Sequence, residues 1–277
     1  MNLQMKLRVL VDNHSLGLPG EWGLSFLIEA DGRRILFDVG RSDLFMRNAH
    51  HLDVDLANLD WVVISHGHYD HTWGLPHLIR SYRESNTPVE ERPTVVSHPD
   101  AFRQRFNSKG KESGSLISAQ ELARHFELTL SREPVWLTDR LVYLGEIKRH
   151  NDFEARKPLG KILIDGQPVD DFLLDDTGLT YRTPEGLVVI VGCSHSGICN
   201  IVEQAKRVCQ DDRVVDIIGG FHLQKPPRQQ LTGTVEYLTA QKPRALHPCH
   251  CTDLASKIAL SKAATIGEVG VGLTLEY

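Results

Sequence analysis

The stretch WVVISHGHYDHTWGL, residues 61–75, constrains the fold of this chain more than any other part of its sequence. Its β-branched apolar residues predict a buried strand. That strand leads directly into four polar candidates, His66, His68, Asp70 and His71. Imidazole nitrogens and a carboxylate suit divalent zinc, iron or manganese. Alternate residues of an extended segment project the same way, so His66 and His68 can reach one ion. Asp70 and His71, beyond the turn, are then available for a second ion.

A metal site needs further ligands from distant parts of the chain, and three later histidines are candidates. They are His195 in GCSHSGICN, His222 in GGFHL and His250 in HPCHCT. Each follows a strand-like apolar run. Their similar positions are a second, independent indication that strand ends assemble a metal centre.

Composition places the chain among ordinary globular proteins. It has 277 residues, 41% of them hydrophobic and 24% charged, with a formal net charge of -5. No strongly basic face indicates nucleic-acid binding, and no run approaches the ~20 apolar residues of a membrane span. The first residues lack a signal-peptide pattern, so a cytoplasmic protein is expected. The five cysteines are an odd set in the last third of the chain and predict reduced thiols.

The order of predicted elements favours an α/β fold. Strands come first, then a helix after residue 75, an irregular middle, more strands, and finally alternating helices and strands. The middle segment, at about 80–152, is longer than a simple connection and predicts an inserted lid or cap. Its basic residues are candidates for binding an anionic substrate, or else form a solvated surface: Arg103, Arg105, Lys109 and Lys111.

Together these motifs resemble the metallo-β-lactamase superfamily. The finer resemblance is to its branch of metal-dependent hydrolases similar to dihydropterin or ribofuranosylaminobenzene phosphate synthases, through EWGLSFLIE, LFDVG, SHGHYDHTWGL, GCSHSGICNI, GGFHL and PCHCT. The resemblance spans essentially the whole chain. It implies one domain over residues 1–277, folded as a four-layer αββα sandwich with an inserted cap.

The resemblance also implies roles for individual residues. The first metal would be held by His66, His68 and His195, and the second by Asp70, His71 and His250. Asp38 in LFDVG would support the metal loops without ligating, or would simply be a turn residue after a strand.

The chain departs from the superfamily pattern where many members carry an aspartate that bridges both ions. His222 stands near that place and is predicted to bind one ion or to lie beside the site. Asp216, inside the preceding strand, is expected to point away. Cys249 and Cys251 flank His250, and an extended backbone would turn both away from its metal. They are therefore interpreted as buried thiols, with one thiol close to the site as the alternative, and Cys193 as a packed small residue.

These residues and the resemblance predict a hydrolase with one or two divalent transition metals, zinc before iron or manganese. A metal-bound hydroxide would attack a small ester, lactone or phosphoester, and Asp70 would orient that nucleophile. Two alternatives stay open. One is a synthase that joins a phosphoribosyl donor to an aromatic acid, and the other is a non-enzymatic sensor with a metal-bearing pocket. The expected partner is a small, possibly anionic molecule, and the oligomeric state is left open.

Overall fold

The computed structural model describes residues 5–277. Its strands are β1 (Met5–Val11), β2 (Ser25–Ala30), β3 (Arg33–Phe37), β4 (Trp61–Val63), β5 (Thr94–Ser97), β6 (Arg105–Asn107), β7 (Leu128–Leu130), β8 (Val135–Trp136), β9 (Leu141–Tyr143), β10 (Gly160–Ile164), β11 (Gln167–Asp171), β12 (Gly178–Thr183), β13 (Gly186–Val191), β14 (Val214–Gly220), β15 (Ala245–Cys249), β16 (Thr265–Ile266) and β17 (Thr274–Glu276). Its α-helices are α1 (Leu44–His51), α2 (Tyr69–Thr72), α3 (Leu75–Glu84), α4 (Ala119–Leu122), α5 (Ile198–Cys209), α6 (Arg228–Gln241) and α7 (Leu254–Leu260). A 3₁₀ turn covers Val89–Glu91.

These strands form two large sheets and one small one. The first large sheet has the order β17-β1-β2-β3-β4-β5-β7, and the second has the order β16-β15-β14-β13-β12-β9-β8. Neighbouring strands are antiparallel in the hairpins and parallel from β3 to β7 and from β13 to β16. The small sheet has the order β11-β10-β6.

Three apolar clusters stack these elements into four layers. The inner faces of the two large sheets meet in one cluster, which includes Phe26 from β2 and Tyr181 from β12. Helices α1 and α3 cover the outer face of the first sheet, and α5, α6 and α7 cover that of the second. Truncating a buried leucine in such a core costs about 2–5 kcal/mol. The predicted αββα sandwich is confirmed.

Local sequence explains why the strands take these positions. Strand β1 alternates buried and half-buried residues in its first half because only one of its faces meets the inter-sheet core. Strands β13 and β14 are buried throughout and read as continuous apolar runs, as expected of parallel strands covered on both faces. Helix α5 buries Ile198, Ile201, Val202 and Ala205 on one face.

The predicted cap at about 80–152 is wrong in its bounds. Strands β5 and β7 from this segment belong to the first large sheet, and β8 and β9 belong to the second. Strand β7 is only three residues long and resembles loop sequence, although it pairs with β5 in the first sheet. What lies outside the large sheets is the small sheet, and two of its three strands, β10 and β11, come after residue 152.

The parallel strands determine where the candidate ligands meet. Strands β13, β14 and β15 are mutually parallel, so their carboxyl ends share one edge of the second sheet. His195, His222 and His250 follow these ends, and the His66 loop follows β4 of the facing sheet. Within residues 5–277, no helix is long and apolar enough to cross a membrane.

Candidate metal centre

Three histidines form one compact group of nitrogen ligands. His66 Nε2 lies 3.1 Å from His68 Nδ1, which lies 3.1 Å from His195 Nε2. Burial and the neighbouring imidazoles hold the pKa of His66 and His195 well below the usual range, so both rings are neutral. The three ring nitrogens lie close enough together for one cation to contact all of them. The group therefore fits a divalent transition metal.

A second group lies beside the first. The Asp70 Oδ2 atom is 3.3 Å from His250 Nε2 and 4.0 Å from His71 Nε2. All three residues are buried, and their ligand atoms lie within 4.8 Å of one another. Burial opposes ionisation of Asp70, but His71 and His250 hold the pKa of its carboxyl well below the usual range. A carboxylate with two imidazoles is a donor set that suits a second divalent ion.

Asp38 holds the two groups in position. Its carboxylate accepts hydrogen bonds from Ser65 N and Ser65 Oγ, both at 2.7 Å, and lies 2.6 Å from His71 Nδ1. Ser65 Oγ also contacts His66 Nδ1 at 2.9 Å. The carboxylate thereby directs His71 Nε2 toward the second group, as outer-shell carboxylates commonly do in metal sites. These contacts are those expected of a residue that supports the metal loops.

The Asp38–His71 pair makes a prediction for the metal-free protein. Burial lowers the pKa of His71, but Asp38 and Asp70 outweigh it and raise the pKa from 6.5 to about 9. A raised pKa stabilises the fold below pH 6.5, and that contribution is lost as the pH rises through 9. We expect the free energy of unfolding in chelator, measured by urea titration, to fall by on the order of 1–3 kcal/mol between these pH values. If an Asp38→Asn variant kept the same pH dependence of the free energy of unfolding, that dependence would not come from the Asp38–His71 pair.

An internal ion pair supports the His66 loop. Arg105 Nη2 lies 2.7 Å from Asp175 Oδ1, and Asp175 Oδ2 accepts a hydrogen bond from Gly67 N at 2.8 Å. A side chain at residue 67 would meet Ala101 O at 1.9 Å, so glycine is required there. Arg105 is 1% exposed, and its predicted contact with substrate is therefore wrong. Two buried aspartates, Asp171 and Asp175, draw this arginine inside.

Other polar side chains fix the loops of the later histidines. Asp176 Oδ2 accepts a hydrogen bond from Ser196 N at 2.8 Å, next to His195. Burial raises the pKa of Asp176 to about 7. Asp12 Oδ1 accepts a hydrogen bond from His250 N at 2.9 Å, and Asn13 Oδ1 lies 3.0 Å from His250 Nδ1. The loop after β1 thus reaches the site.

An aromatic wall belongs to the same loop. The Trp22 ring lies 5.1 Å from the His250 ring. The segment containing EWG therefore borders the second ligand group.

His222 lies at the edge of the cluster. Its ring centroid is 4.3 Å from that of His195, yet its nitrogens do not join any of the ligand groups found among the described residues. Burial lowers the pKa of His222, but its hydrogen bond to Cys251 and nearby carboxylates raise it overall. Its role as a ligand stays a prediction. Asp216 points away, as expected, with its carboxylate 2.9 Å from His247 Nδ1 and bonded to Tyr277.

Two cysteines lie in the site. Cys193 was interpreted as a packed small residue, whereas a thiol of Cys249 or Cys251 close to the site was the alternative left open. Cys193 Sγ lies 3.2 Å from His71 Nε2, and Cys251 Sγ groups with Cys193 and His250 within 4.8 Å. Cys249 does lie in the inter-sheet core. Cys251 turns inward because His250 has a φ of 50°, so the chain is not extended there. The Cys-His-Cys pattern at residues 249–251 marks both cysteines as candidates. The left-handed backbone at His250 is what brings Cys251, and not Cys249, to the site.

A cavity of about 420 Å³ opens beside His195 and His222. Its wall carries three exposed cationic side chains, Arg156, Lys157 and Lys225, and one acidic side chain, Asp152. Within residues 5–277 none of the three cations forms a close ion pair, although Lys225 interacts electrostatically with Asp253. Because the cations outnumber the carboxylates in a cavity that reaches His195, the cavity suits an anionic molecule. Lys109 and Lys111, which the sequence offered as candidates for binding an anionic substrate, do not line this cavity.

Comparisons with known proteins agree with this architecture. The family model for the Metallo-beta-lactamase superfamily matches residues 23–208. The uncharacterized protein MJ0448 of Methanocaldococcus jannaschii is 30% identical over 257 residues, covering 92% of this chain and 94% of that protein. The 7,8-dihydropterin-6-methyl-4-(beta-D-ribofuranosyl)-aminobenzene-5'-phosphate synthase of the same organism is 28% identical over 243 residues, covering 83% and 80%.

A solved structure gives the same result for the fold. Tm1679, described as a metal-dependent hydrolase of the beta-lactamase superfamily, matches with a TM-score of 0.84 and 29% identity over 99% of both chains. Unliganded yeast PDE1 matches with a TM-score of 0.61 and 14% identity over 99% of this chain and 100% of that one, a likeness of fold alone. The resemblance noted in the sequence is confirmed, and the chain belongs to the metallo-beta-lactamase superfamily.

Proposed function

We propose that this chain is a metal-dependent hydrolase of a small anionic ester, with a phosphoester as the preferred class and two divalent ions in the site. The observation that carries the proposal is a pair of adjacent ligand groups, of which the first contributes His195 to the wall of a cavity that also carries exposed cations. The six candidate ligands in these groups are His66, His68 and His195 for one ion, and Asp70, His71 and His250 for the other. Zinc is the first candidate metal, and iron and manganese are compatible with the same donors.

Each part of the site has a role in such a reaction. A divalent ion in either group would activate water at neutral pH and polarise the oxygen of the scissile bond. Asp70 carries a fixed negative charge, and its carboxylate would orient the attacking water and accept its proton. Arg156 and Lys225 would bind the anionic part of the substrate. Trp22 would limit the access of bulk water on the His250 side.

A substrate panel tests the proposal. The chain is stripped with chelator, reloaded with zinc, manganese or iron, and assayed against phosphomonoesters, phosphodiesters, carboxylic esters and lactones. We expect hydrolysis of at least one anionic ester, lost on chelation and restored by metal. Full metal loading without turnover of any compound would contradict the proposal and favour a ligand sensor.

The cationic wall makes a prediction about substrate affinity. A combined Arg156→Ala and Lys225→Ala change should raise KM for a phosphoester by about 10-fold or more, since each charge-assisted contact contributes about 1.5–3 kcal/mol when formed. The effect should shrink at high salt because these side chains are exposed. A combined Lys109→Ala and Lys111→Ala variant is the matched control, since it removes two exposed cations outside the cavity. Equal KM values in the two variants would exclude the cavity as the substrate site.

A synthase reaction is the second candidate because of the 28% identical relative that bears a synthase name. On this view the cavity would hold a phosphorylated ribose donor, and the same cations would bind its phosphates. Pyrophosphate release from a phosphoribosyl donor only when an aromatic acid is present would support the synthase. Phosphoester hydrolysis without any acceptor would favour the hydrolase.

A further inference from the structure

Two buried thiols lie among the candidate metal ligands, and the proposed hydrolase does not yet use them. Cys193 is 4% exposed and Cys251 is 5% exposed. Cys193 Sγ groups with His66 and His71, and it also groups with His250 and Cys251, all within 4.8 Å. Cys249, by contrast, lies in the apolar cluster between the two large sheets. The surroundings of Cys193 are instead ring nitrogens.

Cys193 lies close to residues of both ligand groups. His66 belongs to the first group, while His71 and His250 belong to the second. The Cys193 sulfur lies near all three, and its distance from His71 Nε2 is 3.2 Å. A donor atom in this position can contact an ion in either group. Among the ligand groups found within residues 5–277, Asp70 supplies the carboxylate, and it belongs to the second group.

The second thiol fills space at the end of β14. A Cβ atom at Gly220 would lie 2.6 Å from Cys251 Sγ and 3.3 Å from Cys193 Cα. The strand end therefore cannot present a side chain to the site at residue 220, because the sulfur of Cys251 already occupies that space. The positive φ of His250 is what turns Cys251 toward this point. Two separate backbone features, a glycine and a left-handed residue, accommodate one sulfur atom.

We propose that Cys193 and Cys251 supply sulfur ligands to the metal centre, with Cys193 between the two ions and Cys251 on the His250 side. The inference rests on the metal site of the proposed function. Thiolate is a strong ligand for zinc, and a bound divalent cation removes the thiol proton. Metal uptake would therefore release the thiol protons. His222, whose ring lies 4.3 Å from that of His195, would then stand beside the centre without binding metal itself.

X-ray absorption spectroscopy of the zinc-loaded full chain tests the assignment. We expect a zinc–sulfur shell at about 2.3 Å beside the shell of nitrogen and oxygen ligands. Because Cys193 would contact both ions and Cys251 one, Cys193→Ala should remove about two thirds of the zinc–sulfur contacts and Cys251→Ala about one third. Cys249→Ala is the matched control, because it removes a neighbouring buried thiol that faces the core, and its spectrum should equal that of the unchanged chain. Cobalt loading of the unchanged chain adds a readout that needs no variant, a sulfur-to-cobalt charge-transfer absorption.

The possible outcomes separate this inference from the proposed function. Zinc bound with a shell of nitrogen and oxygen alone, and cobalt without the charge-transfer absorption, would overturn the sulfur ligands and leave the hydrolase proposal standing. A sulfur shell that persists unchanged in both variants would overturn the assignment to these two cysteines. Failure of the substrate panel with a sulfur shell present would instead contradict only the hydrolase. Failure to bind zinc at all would overturn both.

Discussion

Replacing Asp70 with asparagine is expected to lower kcat for the hydrolysed ester by about 10²–10⁴-fold. The amide has nearly the same shape, so the loop between β4 and α3 should keep its path. It cannot accept a proton, however, and it is a weaker metal ligand than a carboxylate. It also removes the negative charge that faces His71 and His250 in the second group. Steady-state kinetics at saturating zinc measures the loss, and metal analysis records how much zinc is retained.

The control for this change is Asp212→Asn. The Asp212 side chain is 94% exposed and contacts Lys206 at 3.6 Å, far from any role in the site. Its kcat should match that of the unchanged chain. If Asp70→Asn retained kcat within about 2-fold at full zinc occupancy, Asp70 would have no part in the proton transfer, given the size of such contributions elsewhere.

Replacing Asp38 with asparagine is expected to destabilise the metal-free protein by about 3–5 kcal/mol, the cost of breaking a buried charge pair. The carboxylate is fully buried and serves His71 and two donors of Ser65. The change should also weaken zinc binding by about 10–100-fold, since outer-shell carboxylates orient the ligating ring. Asparagine tolerates the left-handed φ of 57° at this position, so the effect belongs to the charge. Urea unfolding and competitive zinc titration measure the two losses.

Ser65→Ala provides a graded comparison. It removes one of the donors to Asp38 and the contact with His66 Nδ1, but it leaves the Asp38–His71 pair intact. Its cost in the free energy of unfolding should be about 1–2 kcal/mol. If Ser65→Ala and Asp38→Asn lowered the free energy of unfolding equally, the Asp38–His71 ion pair would contribute little to stability, which would contradict this prediction.

The sequence predicted those parts of the site that lie at strand ends. A β-branched run followed by closely spaced ligands fixes both the strand β4 and the side chains His66, His68 and Asp70, because extended and turn geometry leave them few alternatives. His195 and His250 were found for the same reason. The αββα fold followed from the combined motifs, since their resemblance covers the chain from the first hairpin to the late histidine.

Features that depend on tertiary geometry could not be predicted in this way. The inward turn of Cys251 comes from one left-handed residue, His250, and no local pattern distinguishes this backbone from an extended one. Arg105 looked like a surface cation because its buried partners, Asp171 and Asp175, lie more than 60 residues away along the chain. Strand β7 is three residues long, too short for a periodic signal, and without it the segment resembles a cap and not a continuation of the sheets.

The most direct test of the account is the number of metal ions that the chain binds. The full chain is stripped with chelator, dialysed against zinc, and analysed for metal and protein together with the variant His66→Ala/His68→Ala. The two ligand groups predict two zinc ions per chain in the unchanged protein and one in the variant, which keeps the second group. A chain that is folded by circular dichroism but retains no zinc would contradict the account.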